Sequence, residues 1–564
     1  GDRVLQPLDP WEALALGATP DPKDPAGDLR VRVEGDGLRL PDGTLLRPLA
    51  YSATVAGARE ALRQALATAP LPLLGAVLFD GEGVIWAENF SGPTAPAGGD
   101  ATPLPLDTPW PLGAMSRPVA ALAILNLVDR GLLDLDAPLV SHVPEFRLAE
   151  PGYRQISVRQ LLAQTAGLPG EEARDASTFQ PVPVFAHQVL RGLRTQRLKH
   201  APGAMAVPCG DCYTLLERLV VAVTGTGYAD FVRRELLLPL AMDHSGFGDQ
   251  NPPSGPPLPL RRPDGTPWPP VYLNALAARG LQAPLEDLGR LGAMLINRGE
   301  VEGRRLLSAA AFAELEGGRA PEPSPVTRAD PEGRPSPGGD GMALGGLAAV
   351  DSLAAAGIQG WRVSEPGTGP GPAIAGTLLV APQARLGAAV LGGASEAVIA
   401  TLAEGLLSRA LVERGRLAAL PAPAAPAPEP PKTPGAADLA AMAGIHARHD
   451  GLLWLRPRPD QGLTLSRWEA GGWRDDPAPL YWRGAGHWAA DAAPETRCRP
   501  GEVEGRHYLL ASQAQGPGPG PQEVPLAQRL APEVDGGVRT GAGANAGAAA
   551  AMAEAAPRGS AADT

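Results

Sequence analysis

The clearest periodic pattern in the chain lies between residues 107 and 139. Its mostly apolar positions recur at helical spacing, at Val119, Leu122, Ala123, Asn126 and Leu127. Gly131 ends the pattern, and Pro118 fits the first turn because its missing N–H would have no helical partner there. The stretch therefore predicts one central helix.

Other runs predict an α/β (α+β) domain with an antiparallel sheet. Helices are predicted over 58–66 and 396–411, and apolar runs predict strands over 73–79, 81–86, 375–381 and 386–392. In a separate N-terminal stretch, Leu29, Val31 and Val33 alternate before Gly35-Asp36-Gly37, which indicates a hairpin. Short alternating runs after residue 436 predict a second, smaller sheet or barrel.

These patterns divide the chain into five parts. The predicted parts are 1–51 (extension with the hairpin), 52–418 (main domain), 419–435 (proline-rich linker), 436–532 (small β-domain) and 533–564 (disordered Gly/Ala-rich tail). Residues 317–342, rich in Pro, Gly and charge, predict a flexible insertion. Five of the ten tryptophans lie in the β-domain. They either fill its core or form a stacking surface for a sugar, a lipid-like ligand or a partner protein.

Composition narrows the classes of partner. A formal charge of −12 argues against a nucleic acid, because nucleic-acid binders usually carry a basic face. No run of 18 apolar residues predicts a transmembrane helix. The first residue, Gly1, fits a cleaved leader or a trimmed chain, and two of the three cysteines lie close together as Cys209-Gly-Asp-Cys212. We therefore expect export to the periplasm or the cell surface, with one short disulfide.

Several motifs resemble those of the class C β-lactamase and penicillin-binding-protein-like serine hydrolases. In that family Gly-Ser-x-Ser-Lys opens the active-site helix, and Leu-x-x-x-Gly-x-Leu-x-Leu-Asp-x-Pro closes it, as residues 127–138 do here. Further landmarks follow in order at 156–169, 224–225, 231–242 and 278–308. The resemblance covers about 52–415. It implies a β-lactamase/transpeptidase-like fold, an antiparallel sheet flanked by helices, with a lipocalin-like C-terminal β-domain.

All three motifs that carry acyl transfer in this family are altered. The vestigial-site positions are Ala114 and Arg117 in the first motif, Pro208 and Gly210 in the second, and Glu365 and Gly367 in the third, where Gly367 keeps the glycine of the motif. Ala114 replaces the nucleophilic serine, and Arg117 stays protonated where a lysine would accept a proton. The second motif has lost its tyrosine and asparagine, and Glu365 stands where a basic residue is expected. The chain has three lysines and no Ser-x-x-Lys.

Some residues offer substitute chemistry. Ser116 and Cys209 are the candidate replacement nucleophiles, although helical geometry turns Ser116 away from position 114. Tyr213 is five residues past the lost tyrosine, which is expected to direct its side chain away from the helix start. A structural Cys209–Cys212 disulfide is the favoured interpretation of the cysteine pair. Asp243-His244-Ser245 cannot converge as a triad, and His446 and His449 are interpreted as surface histidines. No metal or cofactor is expected.

Three functional hypotheses follow. The favoured one is an exported pseudoenzyme with a binding or structural role in the cell envelope, whose partners would be envelope proteins, cell-wall material or a small molecule. The second is an active serine hydrolase (an esterase, D-aminopeptidase or β-lactamase-like enzyme) with relocated catalytic groups. The third is a structural subunit of a cell-surface complex.

Overall fold

A computed structural model describes residues 32–529 with gaps. The longer gaps are 40–44, 47–50, 93–103, 171–175, 318–343, 366–372, 419–432 and 514–521, and residues 1–31 and 530–564 also lie outside the described part. Most of the predicted insertion and linker, and the whole predicted tail, therefore fall outside the described residues. Among the residues that are described, no helix is both long enough and apolar enough to cross a membrane.

The described elements follow one another through three regions of the chain. In the first region the described strands are β1 (Arg32–Glu34), β2 (Gly37–Arg39) and β3 (Leu45–Leu46). The strands of the second region are β4 (Leu71–Asp80), β5 (Gly83–Ser91), β6 (Trp110–Pro111), β7 (Ser177–Thr178), β8 (Tyr272–Leu273), β9 (Gln282–Ala283), β10 (Glu300–Val301), β11 (Arg304–Arg305), β12 (Ala348–Ala349), β13 (Trp361–Glu365), β14 (Ala375–Ala381) and β15 (Leu386–Gly393). Its helices are α1 (Ser52–Leu66), α2 (Arg117–Asp129), α3 (Val158–Leu162), α4 (Phe185–Leu193), α5 (Gly210–Thr224), α6 (Tyr228–Val232), α7 (Leu285–Ile296), α8 (Ala309–Gly317) and α9 (Glu396–Glu413). The third region has α10 (Ala436–Met442) and the strands β16 (Gly444–Arg448), β17 (Gly451–Pro457), β18 (Leu463–Glu469), β19 (Gly472–Asp475), β20 (Leu480–Gly484), β21 (His487–Ala490), β22 (Ala493–Val503), β23 (Arg506–Gln513) and β24 (Gln522–Arg529).

The main domain is built on a six-stranded antiparallel sheet in the order β12-β13-β14-β15-β4-β5. Alternate residues of β4 face opposite sides, because side chains alternate along a strand. Leu74 and Leu78 join the core cluster that contains α1 and α9 residues, whereas Val77 and Phe79 join the cluster that contains α2 and α7 residues. The fold predicted from the sequence, an antiparallel sheet flanked by helices, is therefore confirmed.

Helix α2 lies in the interior of the larger cluster. Its residues from Pro118 to Leu125 are all buried, so the helix contacts apolar neighbours around its whole circumference. Gly131, just after the helix, has a left-handed φ of 68°, which explains why a glycine ends it. Since most of its side chains are already in the core, the helix start at residues 113–117 is fixed rigidly in space.

Two glycines make room for the Phe79 ring between α7 and the sheet. A Cβ added to Gly292 or to Gly387 would lie 2.2 Å from this ring. We expect Gly292→Ala to lower the free energy of unfolding by about 1–3 kcal/mol, because the packed ring has to move. Gly405→Ala in α9 is the control. It meets nothing within 4 Å, so the better helix former should raise stability by roughly 0.5–1 kcal/mol. Urea unfolding distinguishes the two, and equal effects would contradict this packing.

The C-terminal region forms a closed antiparallel sheet. Eight strands pair in the order β17-β16-β24-β23-β22-β21-β20-β18, β18 pairs back to β17, and β19 extends β18. The predicted small sheet is therefore present, while its likeness to lipocalins stays a prediction. His446 is buried, with its Nε2 3.0 Å from the Met442 carbonyl oxygen, so the interpretation as a surface histidine was wrong. His449 lies outside the described residues.

The tryptophans of this sheet fall into two groups. Trp482 and Trp488 are buried and meet edge to face, with ring centroids 5.3 Å apart, inside the closed sheet. Trp454, Trp468 and Trp473 are half-buried, and Trp473 contacts the other two. The Trp482–Trp488 pair fills the core of the sheet, which agrees with the interpretation that the tryptophans are core residues.

Candidate functional site

The start of α2 is preceded by a tight 3-10 turn, Gly113–Ser116, which contains Ala114. Ala114 is buried, and its side chain is a methyl group without a nucleophilic atom. Backbone N–H groups at a helix start attract negative charge, and in acyl transfer such donors stabilise a developing oxyanion. The position is therefore a donor site without a nucleophile.

The carboxylate of Glu365 occupies that donor site. The Ala114 N–H donates to Glu365 Oε2 at 2.7 Å, and Arg279 donates to Glu365 Oε1 at 2.7 Å. Both side chains are almost completely buried, at 6% and 10% exposure for Glu365 and Arg279. Glu365, which replaces the expected basic residue, thus has its charge balanced by Arg279 and accepts a hydrogen bond at the helix start.

Gly113 is needed for this arrangement. Its φ is +53°, and a Cβ added there would lie 2.3 Å from the Glu365 side chain. Glu365 extends from the end of β13, and Arg279 comes from a π-helical turn, Leu276–Gly280. These two elements therefore meet at the 3-10 turn before α2. The space above Ala114 is filled by the chain itself.

Arg117 makes different contacts from Glu365. Its Nη1 donates to Gln164 Oε1 at 3.2 Å, and its guanidinium lies over the Tyr213 ring, 5.5 Å from the centroid. Gln164 Oε1 also accepts the Cys209 N–H at 2.9 Å. The cation at the lysine position is therefore bound by an amide and an aromatic face.

Tyr213 lies nearer to the site than its displacement in sequence suggested. The ring is fully buried under Arg117, so the expectation that it points away from the helix start was wrong. Its hydroxyl donates to the Leu162 carbonyl oxygen at 2.9 Å, and burial raises the pKa of this phenol well above its usual value. Tyr213 is accordingly a structural phenol and remains protonated.

The cysteine pair forms the predicted disulfide. Cys209 and Cys212 are joined at 2.07 Å and are both buried. Cys209 is the N-cap of α5, where its sulfur accepts the Cys212 N–H at 3.1 Å. Gly210 is the first residue of α5, whereas Pro208 and Gly367 lie outside the described residues. The disulfide braces the helix beside Gln164.

The two candidate replacement nucleophiles are both engaged. The Ser116 hydroxyl is buried and accepts the Leu281 N–H at 3.0 Å. Cys209 has its sulfur in the disulfide. Ser245, of the apparent triad in sequence, donates to Asp287 Oδ2 at 2.8 Å and is also buried. None of these three side chains lies beside the Ala114 N–H as a free nucleophile.

Sequence reasoning missed Arg279 as the partner of Glu365. The available signal was a single charged residue in the otherwise apolar run Leu276-Ala-Ala-Arg-Gly-Leu281. A charge in such a run needs a partner when it is buried. The pattern indicates that a partner exists, but only the fold identifies it as a residue 86 positions away.

A second buried carboxyl positions the turn that carries Arg279. Glu217 of α5 accepts the Ala277 N–H at 2.9 Å, and burial raises its pKa to about 8. The folded protein keeps this proton at neutral pH, whereas the unfolded chain, with an ordinary glutamate, releases it. Folding is therefore favoured by this group at low pH, and that advantage is lost as the pH rises towards 8.

Glu217→Gln is expected to remove this pH dependence. From pH 5 to pH 8 the free energy of unfolding of the wild type should fall, relative to the variant, by about 4 kcal/mol at most. Urea unfolding at four pH values in this range measures the difference. The exposed Glu60→Gln in α1 is the control, and a pH-independent difference between wild type and Glu217→Gln would contradict the assignment.

An open cleft of about 660 Å³ lies next to Glu365 and Arg279. Nine of its 24 lining residues are prolines, and Trp268, Tyr272 and leucines of the 252–273 segment complete the walls. Ser177, Gln282 and Arg261 are further polar lining residues. The apolar walls and a small polar floor are typical of a binding site for a small ligand.

Comparison with known proteins agrees with this fold. The chain is 31% identical to Protein flp of Staphylococcus aureus over 146 residues, which are 26% of this chain and 29% of that protein. It is 33% identical to Esterase EstB of Burkholderia gladioli over 181 residues, 29% of this chain and 46% of EstB. The chain thus matches less than half the length of either relative.

A solved structure and a family model extend the comparison to most of the chain. The crystal structure of SurE has a TM-score of 0.60 at 20% identity, covering 85% of this chain and 99% of that one, which shows a shared fold. The model of the Beta-lactamase family matches residues 58–392, a stretch that includes α2, Arg279, Glu365 and the cleft. The chain therefore belongs to the Beta-lactamase family, as the motifs around α2 predicted.

Proposed function

We propose that this member of the Beta-lactamase family is catalytically inactive and uses its cleft for binding. The observation that carries the proposal is the Glu365 carboxylate on the Ala114 N–H. An acyl-transfer site needs a nucleophile at this turn and a free donor for the oxyanion. Here the position of the nucleophile carries a methyl group. The backbone donor is paired with the buried Glu365 carboxylate, which also accepts a hydrogen bond from Arg279.

Hydrolysis assays with matched variants test the proposal. The wild type, Ser116→Ala and Cys209→Ala are incubated with p-nitrophenyl butyrate and with a chromogenic cephalosporin. We expect no turnover above the rate in buffer for any of the three. A wild-type rate that Ser116→Ala or Cys209→Ala abolishes would show a relocated nucleophile, the alternative that the buried Ser116 and the disulfide both disfavour.

We further propose that the protein functions outside the cytoplasm, in the periplasm or at the cell surface. The disulfide between Cys209 and Cys212 supports this location, because such bonds persist mainly in oxidising compartments. The cleft is then available to cell-wall material, small molecules or envelope proteins. Fractionation of the source cells with alkylation of free thiols tests this point. We expect the protein in the envelope or medium fraction with both cysteines protected, and a cytosolic protein with alkylated Cys209 and Cys212 would contradict it.

A further inference from the structure

The cleft beside Glu365 has walls with few backbone donors. Nine of the lining residues are prolines, which have no N–H to offer a ligand. Two other wall N–H groups are used internally, since Leu260 donates to the Leu258 carbonyl oxygen and Trp268 donates to the Leu260 carbonyl oxygen. Within the described part of the wall, backbone carbonyl oxygens thus outnumber donors.

Three charged residues line the cleft, and two of them, Arg279 and Glu365, compensate each other, while the third, Arg261, is exposed. The Glu365 carboxylate pairs with Arg279 and with the Ala114 N–H, and both side chains are nearly buried. A ligand carboxylate would have to compete with Glu365 for these donors, and it would approach a like charge while it did so. The Glu365–Arg279 pair therefore disfavours an anionic ligand at the helix start.

We propose that the cleft binds a neutral ligand with an apolar body and its own hydrogen-bond donors, such as an alcohol or a primary amide. The inference rests on the proposed function, because a site that acylated would consume its ligand. Apolar groups of the ligand would contact Trp268, Tyr272 and the proline rings, which are rigid and need little ordering. Its O–H or N–H groups would donate to the carbonyl oxygens of the walls.

Matched probes with one phenylpropyl body separate charge from donor content. The probes are 3-phenylpropanamide (neutral, with donors), methyl 3-phenylpropanoate (neutral, without donors) and 3-phenylpropionate (charged, without donors), titrated into the full chain by NMR or calorimetry. We expect the amide to bind about tenfold more tightly than the carboxylate, with the ester between them. Equal or tighter binding of the carboxylate to the wild type would overturn the inference, and so would binding of none of them.

Two variants locate the effect. In Glu365→Gln, Arg279 loses its carboxylate, so we expect 3-phenylpropionate to gain about tenfold in affinity while the amide changes little. Glu60→Gln makes the same change of charge on α1 and should leave all affinities unaltered. Ser177→Trp should weaken all three probes by filling the cleft without touching the Glu365 pair. Unchanged affinities in Ser177→Trp would place the binding elsewhere and overturn the inference.

The two proposals fail in different ways. The amide and the carboxylate are poor acyl donors, so their affinities report the cleft regardless of catalysis. Hydrolysis of the methyl ester, followed in the same NMR samples, would contradict the proposed inactivity. Carboxylate preference without hydrolysis would contradict only the ligand class.

Discussion

Arg279→Ala is expected to lower the free energy of unfolding by about 3–5 kcal/mol, the usual range for breaking one partner of a buried ion pair. The variant leaves the Glu365 carboxylate nearly buried, with the Ala114 N–H as its remaining donor from this pair of contacts. The cost arises because the nearly buried carboxylate loses the positive charge of its ion pair. Urea unfolding of the full chain at neutral pH measures it.

Two comparisons separate charge from packing. Arg279→Met with Glu365→Leu removes both charges at similar volume, and we expect it to unfold within about 1.5 kcal/mol of the wild type. Arg305→Ala breaks an exposed pair with Glu300, at 45% and 43% exposure, and should cost no more than about 1 kcal/mol. A double variant that is as unstable as Arg279→Ala would show that the site depends on shape and that the buried charge is a minor factor.

Gly113→Ala is expected to cost about 2–4 kcal/mol, as the sum of left-handed backbone strain and a steric clash. The added Cβ would lie 2.3 Å from the Glu365 side chain, and the φ of +53° is one that alanine rarely adopts. Denaturant unfolding gives the free energy, and a change in the circular dichroism of the folded state reports any displacement.

Measuring Gly113→Ala in a Glu365→Ala background separates the steric clash from the backbone strain. There the added methyl group has room, so Gly113→Ala should cost only the strain, about 1–2 kcal/mol. Gly131→Ala provides the matched control, because its φ is +68° and nothing lies within 4 Å of the added Cβ. If Gly113→Ala cost the same with and without the Glu365 side chain, the carboxylate would not fill the space above Ala114.

Much of the main fold could be predicted because its signals are local. Apolar runs and helical patterns predicted β4, β5, β14, β15, α1 and α9, with ends that differ from the structure by a few residues at most sites. Helix α1 begins at Ser52, six residues before its predicted start, because Val55 is the one large apolar residue among the first six positions and gives no helical repeat there. Loss of the nucleophile could also be read directly, since Ala114 has no oxygen.

The partners inside the site could not be predicted, because they depend on tertiary contacts. Glu365 was recognised as the substitute for a basic residue, yet its contacts with Arg279 and Ala114 join positions 86 and 251 residues apart. Gln164 adopts a left-handed φ of 58° that places its amide between Arg117 and Cys209, and nothing in its neighbours indicates this. The cleft likewise arises only when described residues of 252–262 and 266–273 come to line one space with Gly113, Arg279 and Glu365.

Covalent labelling tests the central claim, that the helix start of α2 no longer supports acyl transfer. The full-length protein is incubated with an excess of a fluorescent penicillin and, separately, of a fluorophosphonate, and its intact mass is then measured. We predict an unchanged mass with both reagents, because Ala114 cannot attack and Glu365 holds the donor at this turn. A stoichiometric acyl or phosphonyl adduct on the native protein would contradict the account.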